Sequence, residues 1–288
     1  MTGLLVVNSF YGGSKMADIV QYLTRSASRH GITLIDCGSA ELMHNYGELM
    51  PLKGAYDFVL FWDKDVVLAR MIEDVGIRVF NCARAIEECD NKALTYIKLR
   101  NAGVRMPETV VAPLTFEGVG YNDMDFLLDA GVKLGFPMVI KELYGSFGQQ
   151  VYLAHDANEA GEIVAGLGHK GFLMQKFIES AAGRDVRVNV VGNKVVSAMM
   201  RINENDFRSN ISGGGHAEKL EVTDEIADLA VRACDALRLD FAGVDVLLSD
   251  KGPMVCEVNS NLHFKSSIDC TGVDVSDHIM KYIGEMCG

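Results

Sequence analysis

The sequence predicts an α/β protein of about two domains, and three observations predict it. The first third of the 288 residues alternates short apolar runs with amphipathic segments, the βαβ pattern of a parallel sheet with helices on its faces. From residue 135 onward, strand-like runs recur between glycine-bearing turns. The stretch GVDVLLSDKGPMVCEVNSN, residues 243–261, reads as an antiparallel hairpin that sets two carboxylates and an amide among apolar residues.

In chain order, LLVVN, ITLID, YDFVLFW and IRVFN supply strands, with helices expected over residues 14–30 and 66–75. The turn after the first strand, NSFYGGSK, lacks the GxGxxG spacing of a dinucleotide fold. Gly12-Gly13 ahead of a helix suits an anion and equally suits an ordinary turn. One helix is expected across RAIEECDNKALTYIKLRNAG, closed by Gly103 and followed by Pro107, joining two domains. PMVIKEL and VYLA then flank the turn YGSFGQQ, a helix is expected over 157–167, and FLMQKFI follows as a strand. DVRVNVVGNKVVSAMMRI reads as two strands around a Gly192-Asn193 turn. The helix over 224–239 carries Ile226, Leu229, Ala230, Ala233 and Leu237 on one stripe, with Thr223 as its N-cap. VDVSDHIMKYIGEM is the closing helix.

Composition removes several function classes. With 49% hydrophobic and 23% charged residues, the chain is an ordinary globular one. No apolar run approaches the roughly 18 residues of a membrane span. The start, MTGLLVVNSF, lacks the basic flank and long apolar centre of a signal peptide, so a cytoplasmic protein without a membrane partner is expected. Seven cysteines without CxxC spacing read as reduced core thiols, and a zinc site is not expected. A net charge of −12 argues against a nucleic-acid partner.

Chemistry concentrates in three places. If Ser249 faces Pro253 across a three-residue loop, Asp245 falls opposite Glu257, and Asn259 shares their face. Opposed carboxylates repel, so a hard cation between them is the expected remedy. Magnesium suits, because it takes one or two carboxylates and fills its shell with water and phosphate. The plain surface of a hairpin has the same pattern. Lys141 ends an apolar strand just before Gly145-Ser146-Phe147-Gly148, where a lysine reaches phosphates cradled by backbone N–H groups. A strand-end lysine snorkelling into water gives the same spacing, and the GK[ST] ending of a P-loop is missing. In MMRINENDFRSNISGGG, Arg201, Arg208 and Asn210 precede three glycines, and guanidinium forks suit phosphate and carboxylate oxygens or simply solvent. Jointly these are the parts that handle a magnesium nucleotide.

The order of CDNKALT, PMVIKELYGSFGQQV, MQKFIESAAGRDVRVNVVG, MMRINENDFRSNISGGG, FAGVDVLLSDKGPMVCEVNSN and TGVDVSDHI resembles the ATP-grasp superfamily, and within it the RimK-type α-L-glutamate ligases. The resemblance implies an ATP-grasp fold with an N-terminal α/β domain (1–82), a linker helix and central lid subdomain (83–174), and a C-terminal α+β catalytic subdomain (175–288). It implies an ADP-forming carbon–nitrogen ligase that phosphorylates a carboxylate and lets an amine attack the acylphosphate, with a glutamate-type amino acid as the amine. ATP and Mg2+, with Mn2+ as the alternative ion, are the implied cofactors. The implied partners are a carboxylate on a small molecule, peptide or protein, an amino acid, and further copies of the chain in a homo-oligomer.

Residue by residue, the resemblance gives Lys92 and Lys141 to the nucleotide phosphates, covered by Gly145, Ser146 and Gly148. It gives Gln175, Lys176, Phe177 and Ile178 to the adenine hinge and Asp185 and Arg201 to the nucleotide. Arg208 and Asn210 match the γ-phosphate and acylphosphate site, so that with Lys141 they are the expected catalytic residues. Asp245, Glu257 and Asn259 match the magnesium ligands. Two departures stand out: Gln149 where the family has further glycine, and SNLHFKSS in place of a small-residue, proline-containing loop. They make His263, Phe264 and Lys265 the expected specificity residues. Alternatives on the same nucleotide residues are a ligase closing crosslinks in a precursor peptide, a kinase, and a regulatory subunit without turnover.

Overall fold

The computed structural model describes residues 1–288 apart from Met43, Phe147 and the side chain of Ser212. Strands covered on both faces read as unbroken apolar runs, and FVLFW is one such run, buried at all five positions. It lies inside a parallel sheet of order β2-β1-β3-β4. The elements of this first unit are β1 (Thr2–Val7), α1 (Ser14–Arg29), β2 (Thr33–Gly38), α2 (Tyr46–Leu49), β3 (Phe58–Trp62), α3 (Val66–Asp74) and β4 (Val79–Phe80).

The connector differs from its expectation. Two helices, α4 (Ala83–Asp90) and α5 (Lys92–Asn101), replace the single one. Asn91 is extended, and its side chain accepts from the backbone N–H groups of Ala93 and Leu94, so it caps a new helix. The Thr95 hydroxyl donates to the Glu88 and Cys89 carbonyls and closes the break.

The central unit holds β5 (Thr109–Val111), α6 (Asp125–Leu134), β6 (Met138–Glu142), β7 (Val151–Ala154), α7 (Ala157–Leu167) and β8 (Phe172–Lys176) in an antiparallel sheet of order β5-β8-β6-β7. β8 pairs with β5 as far as Gln175 and with β6 as far as Lys176, so the boundary after residue 174 falls inside a strand. The two helices and the sheet share a separate small core.

The third unit contains β9 (Arg184–Val191), β10 (Lys194–Ile202), β11 (His216–Lys219), α8 (Asp224–Leu237), β12 (Phe241–Ser249), β13 (Gly252–Asn259), α9 (Lys265–Thr271) and α10 (Val275–Cys287). Its antiparallel sheet runs β11-β10-β9-β12-β13. Period-two alternation divides β9 by face. Val186, Val188 and Val190 pack with α8 in the core, which leaves Asp185, Arg187 and Asn189 on the opposite face. α8 ends at Leu237, two residues before its expected end, where Arg238 turns into the left-handed region at φ 55°. Of the seven unpaired cysteines, only Cys89 and Cys234 are buried, and the other five are partly exposed. Among the described residues, no helix is long and apolar enough to cross a membrane.

The first and third units share a core. Ile279 and Ile283 of α10 pack with Leu5, Ile19 and Leu23, and Trp62 stacks on Phe241 at 5.5 Å. Asn81 fastens the same junction from a buried position. Its amide donates to the carbonyls of Phe241 (2.9 Å) and Ser260 (3.1 Å), and its oxygen accepts from the N–H groups of Asp240 (2.6 Å) and Phe241 (3.2 Å). Asn81→Ala strands these backbone groups, and a loss of about 3 kcal/mol is expected from the desolvation they then suffer. Urea unfolding followed by circular dichroism measures it, and a change under 1 kcal/mol contradicts the role given to Asn81.

Candidate active site

One cavity of about 620 Å³ opens where the three units meet. Asn8, Lys15, Trp62 and Lys64 line it from the first unit, Lys141, Ser146, Gly148 and residues 175–178 from the central unit, and the polar face of β9, β10, β12 and β13 from the third. A pocket of this kind, concave and holding a few convergent polar groups, is the default place for a ligand.

The hairpin reaches its expected pairing by an unexpected route. Asp245 faces Glu257 and Gly243 faces Asn259. The turn is Asp250-Lys251, with Ser249 opposite Gly252 and not Pro253, and Gly252 takes φ 101°. That register alone would offset the carboxylates. A bulge restores them, since Val246 faces Val255 while Asp245 faces Glu257, leaving Cys256 as the extra residue.

Nor is a metal the only partner available to Asp245. The carboxylate is 5% exposed and accepts from Arg187 through Nε (2.5 Å) and Nη2 (3.0 Å), while Arg201 Nη2 lies 3.0 Å away. Arg201 in turn forks onto Asp185 at 2.7 and 2.5 Å. Arg201 and Asp185 therefore line the cavity paired to each other. Burial alone would lift the Asp245 carboxyl, but Arg187 and Arg201 outweigh it and hold it below the ordinary value. Burial wins at Asp185, whose carboxyl is raised despite Arg201, with the Asp245 charge adding to the rise.

The donor set suits a hard cation, with two carboxylates and an amide on one face of a hairpin. Glu257 has Lys92 at 3.9 Å, and the Asn259 amide donates weakly to Asp245 and Gly243, both at 3.4 Å. Among the described residues, no position gathers three His, Cys, Asp or Glu side chains, so any metal here depends on the asparagine and on water or ligand oxygens.

Lys141 is 6% exposed, with Nζ at 3.4 Å from Cys256 Sγ, so it points into the cavity and does not snorkel outward. Lys92 begins α5 and donates to the Gly145 carbonyl at 3.4 Å. In the glycine turn, Gly148 takes φ 72°, and a Cβ there would lie 2.5 Å from Asn210 Oδ1. Phe147 of this turn lies outside the described residues. Gln150 Oε1 accepts from the Ser146 N–H (3.1 Å), and the Gln149 N–H donates to the Ser146 carbonyl (3.3 Å). Arg208 is oriented by Asp206, at 3.0 Å from Nε and 2.7 Å from Nη2, and donates to the Gly148 carbonyl at 2.9 Å. Along the hinge, the Gln175 side chain donates to Thr109 (3.0 Å), and Phe177 meets Phe207 edge-on.

The loop after the hairpin divides. Phe264 is fully buried and packs edge-on against Trp62 at 5.7 Å, so it belongs to the core and not to a specificity surface. Lys265 opens α9 and pairs with Asp269 at 2.8 Å. His263 and Lys265 both line the cavity. Sequence reasoning missed Arg187, although the alternation in DVRVNVV puts it on the face of Asp185. It also missed the first-unit wall, including Lys64, which donates to Asp90 (3.1 Å) and Ser146 (3.4 Å). No local pattern announces a wall built by packing between units.

Residues 89–283 match the profile of the RimK-like ATP-grasp domain. Human N-acetylaspartylglutamate synthase A is 34% identical over 223 residues, which are 76% of this chain and 56% of the synthase, so the chain spans little more than half of that relative. The probable alpha-L-glutamate ligase of Trichodesmium erythraeum is 37% identical over 225 residues, 77% of this chain and 72% of that protein. Among solved structures, the ATP-grasp ligase PsnB complexed with minimal precursor, Mg and ADP is similar in fold, with a TM-score of 0.72 at 17% identity over 99% of this chain and 98% of the other.

His263 yields a pH prediction. Burial, and then the charges of Arg187, Lys15 and Lys64, push its pKa down to about 4 from 6.5. A pKa lowered in the folded state means that the unfolded chain binds the proton first. The stability that His263 contributes is thus present above pH 6.5 and lost as pH falls toward 4. His263→Gln, neutral throughout, is expected to lose less Tm than the wild type across that window. Parallel Tm curves from pH 7 to 4 would refute the assignment.

Proposed function

The chain belongs to the RimK-like ATP-grasp family, with the ATP-grasp fold, and from that premise we propose that it is an ATP- and Mg2+-dependent ligase that joins a carboxylate to the amine of a glutamate-type amino acid through an acylphosphate. The observation that carries the reading is convergence. Lys141 and the Asp245–Glu257 pair come from two different sheets, and Arg208 and Asn210 from the loop between β10 and β11, yet all line one cavity with residues 175–178.

The chemistry follows from the positions. The hinge at 175–178 offers backbone groups and apolar side chains to a base, while Lys141 in the cavity, with Lys92 beside it on the Gly145 carbonyl, draws the phosphates toward the glycine turn. A bound magnesium ion supplies charge neutralisation on the phosphate oxygens. Arg208, its Nε and Nη2 held by Asp206, has Nη1 to turn from the Gly148 carbonyl toward charge growing on the transferred phosphoryl group. The walls contributed by the first unit keep water from the acylphosphate, which an amine held close then attacks. Glutamate is named as the amine because both relatives carry it in their names.

The test is a mass-spectrometric screen of carboxylates and amino acids with ATP and Mg2+, reading ADP and an amide of the summed mass less water. Phosphorylation of a hydroxyl without any amine requirement would replace the ligase with a kinase. Glu257→Gln removes charge and little volume, so turnover should vanish with Tm within a few degrees of wild type; retained activity excludes Glu257 as a ligand. Lys141→Ala should weaken ATP binding about 10- to 100-fold in calorimetry, the loss of one charge-assisted hydrogen bond. Wild-type affinity would mean that Lys141 serves packing alone.

A further inference from the structure

Both oxygens of Asp245 are engaged. Its Oδ1 accepts from Arg187 Nε and has Arg201 Nη2 as an ion-pair partner at 3.0 Å, and its Oδ2 accepts from Arg187 Nη2 and, at 3.4 Å, from the Asn259 amide. A carboxylate offers about four lone-pair positions in all. The arrangement is also built to keep Arg187 where it is. Gly243 lies beneath the guanidinium, and a Cβ there would come within 2.9 Å of Arg187 Nη1 and 3.2 Å of its Cδ. A side chain at 243 would crowd the guanidinium and make it shift.

The local charge argues in the same direction. Arg187 and Arg201 already neutralise Asp185 and Asp245, and Lys92 and Lys141 outnumber Glu257. A lone divalent cation thus meets a set of side chains with a net positive charge. A nucleotide triphosphate brings the negative charge that reverses this balance.

We propose that Arg187 is the resident counter-cation of Asp245, a positioning residue that closes the site to a divalent cation until a nucleotide is bound. The inference rests on the reading of Asp245, Glu257 and Asn259 as the cation site of an ATP-dependent enzyme. In the free protein the Arg187 fork stands where a cation would coordinate. With nucleotide present, the ion competes for Asp245 with the phosphates as additional ligands, and the guanidinium yields one or both carboxylate oxygens.

The test uses Mn2+ as the probe and equilibrium dialysis of the full chain, with and without a non-hydrolysable ATP analogue whose own Mn2+ binding is subtracted. Wild type should bind Mn2+ at least about tenfold more tightly with the analogue than without it, the factor that a 1.4 kcal/mol coupling gives. Arg187→Met frees Asp245, so nucleotide-free Mn2+ binding should tighten about tenfold, and Mn2+ alone should raise the variant's lowered Tm by more than it raises the wild type's. Arg187→Lys, which keeps charge but not the fork, should fall between them, and it serves as the variant if Arg187→Met does not fold. Equal Mn2+ affinity in wild type with and without the analogue overturns the proposal, and so does an unchanged nucleotide-free affinity in both variants. Absence of Mn2+ binding in every arm, analogue included, overturns the cation-site reading as well, whereas nucleotide-independent binding that Glu257→Gln abolishes keeps that reading and removes only the gate.

Discussion

A carboxylate cut off from water must be neutralised where it stands, and Asp245 sets the arrangement of its surroundings on that account. Arg187 lies directly across from it on β9, and Arg201 follows on β10 opposite Asp185. The result is a chain of alternating charge across three adjacent strands, each link fixed by strand register. Such networks contribute little net stability, since a hydrophobic set of equal volume often does as well. The same strand shows this alternative, for Val186, Val188 and Val190 on the other face form an ordinary core. Charge is therefore placed on the cavity face alone, where it faces a ligand.

The three units are joined by different kinds of contact, and the difference bears on motion. The first and third are fused by an apolar core with Trp62, Phe241 and Phe264 at its centre, and by the buried Asn81. The central unit keeps its own core and reaches the others across the cavity through polar contacts such as Arg208 to Gly148 and Lys64 to Ser146. Polar contacts at the rim of a cavity exchange with water more readily than a shared apolar core opens. The glycine turn thus sits on the part of the molecule that is cheapest to displace.

What was legible in the sequence was whatever depends on neighbours along the chain. Strands with period two, α7 at its exact bounds, α8 and its Thr223 cap all follow from local pattern. The Asp245–Glu257 pairing was legible too, but the three-residue loop behind it was wrong and a bulge at Cys256 compensates, because register was inferred from a turn length that local residues do not determine. Asn91 carried a readable cap signal inside a segment whose helical pattern masked it. β11, HAEK, has no apolar alternation and exists because β10 presents a free edge. Phe264 looked like a pocket residue only because its partner Trp62 is 202 positions away in sequence, contributed by the first sheet.

Arg208 joins the third unit to the glycine turn of the central unit. Asp206, two residues earlier, accepts from its Nε and Nη2 and so fixes the plane of the guanidinium, and the carboxyl is held below its ordinary value chiefly by that bond. The remaining end of the fork, Nη1, holds the Gly148 carbonyl, beside the point where any Cβ would strike Asn210. The group that is oriented toward the cavity is then the same group that holds the glycine turn down. An anion that draws Nη1 away from Gly148 changes the hold on the turn, and a turn that lifts frees Nη1 for an anion. Any such coupling needs no relay through the fold, because one guanidinium both lines the cavity and holds the turn.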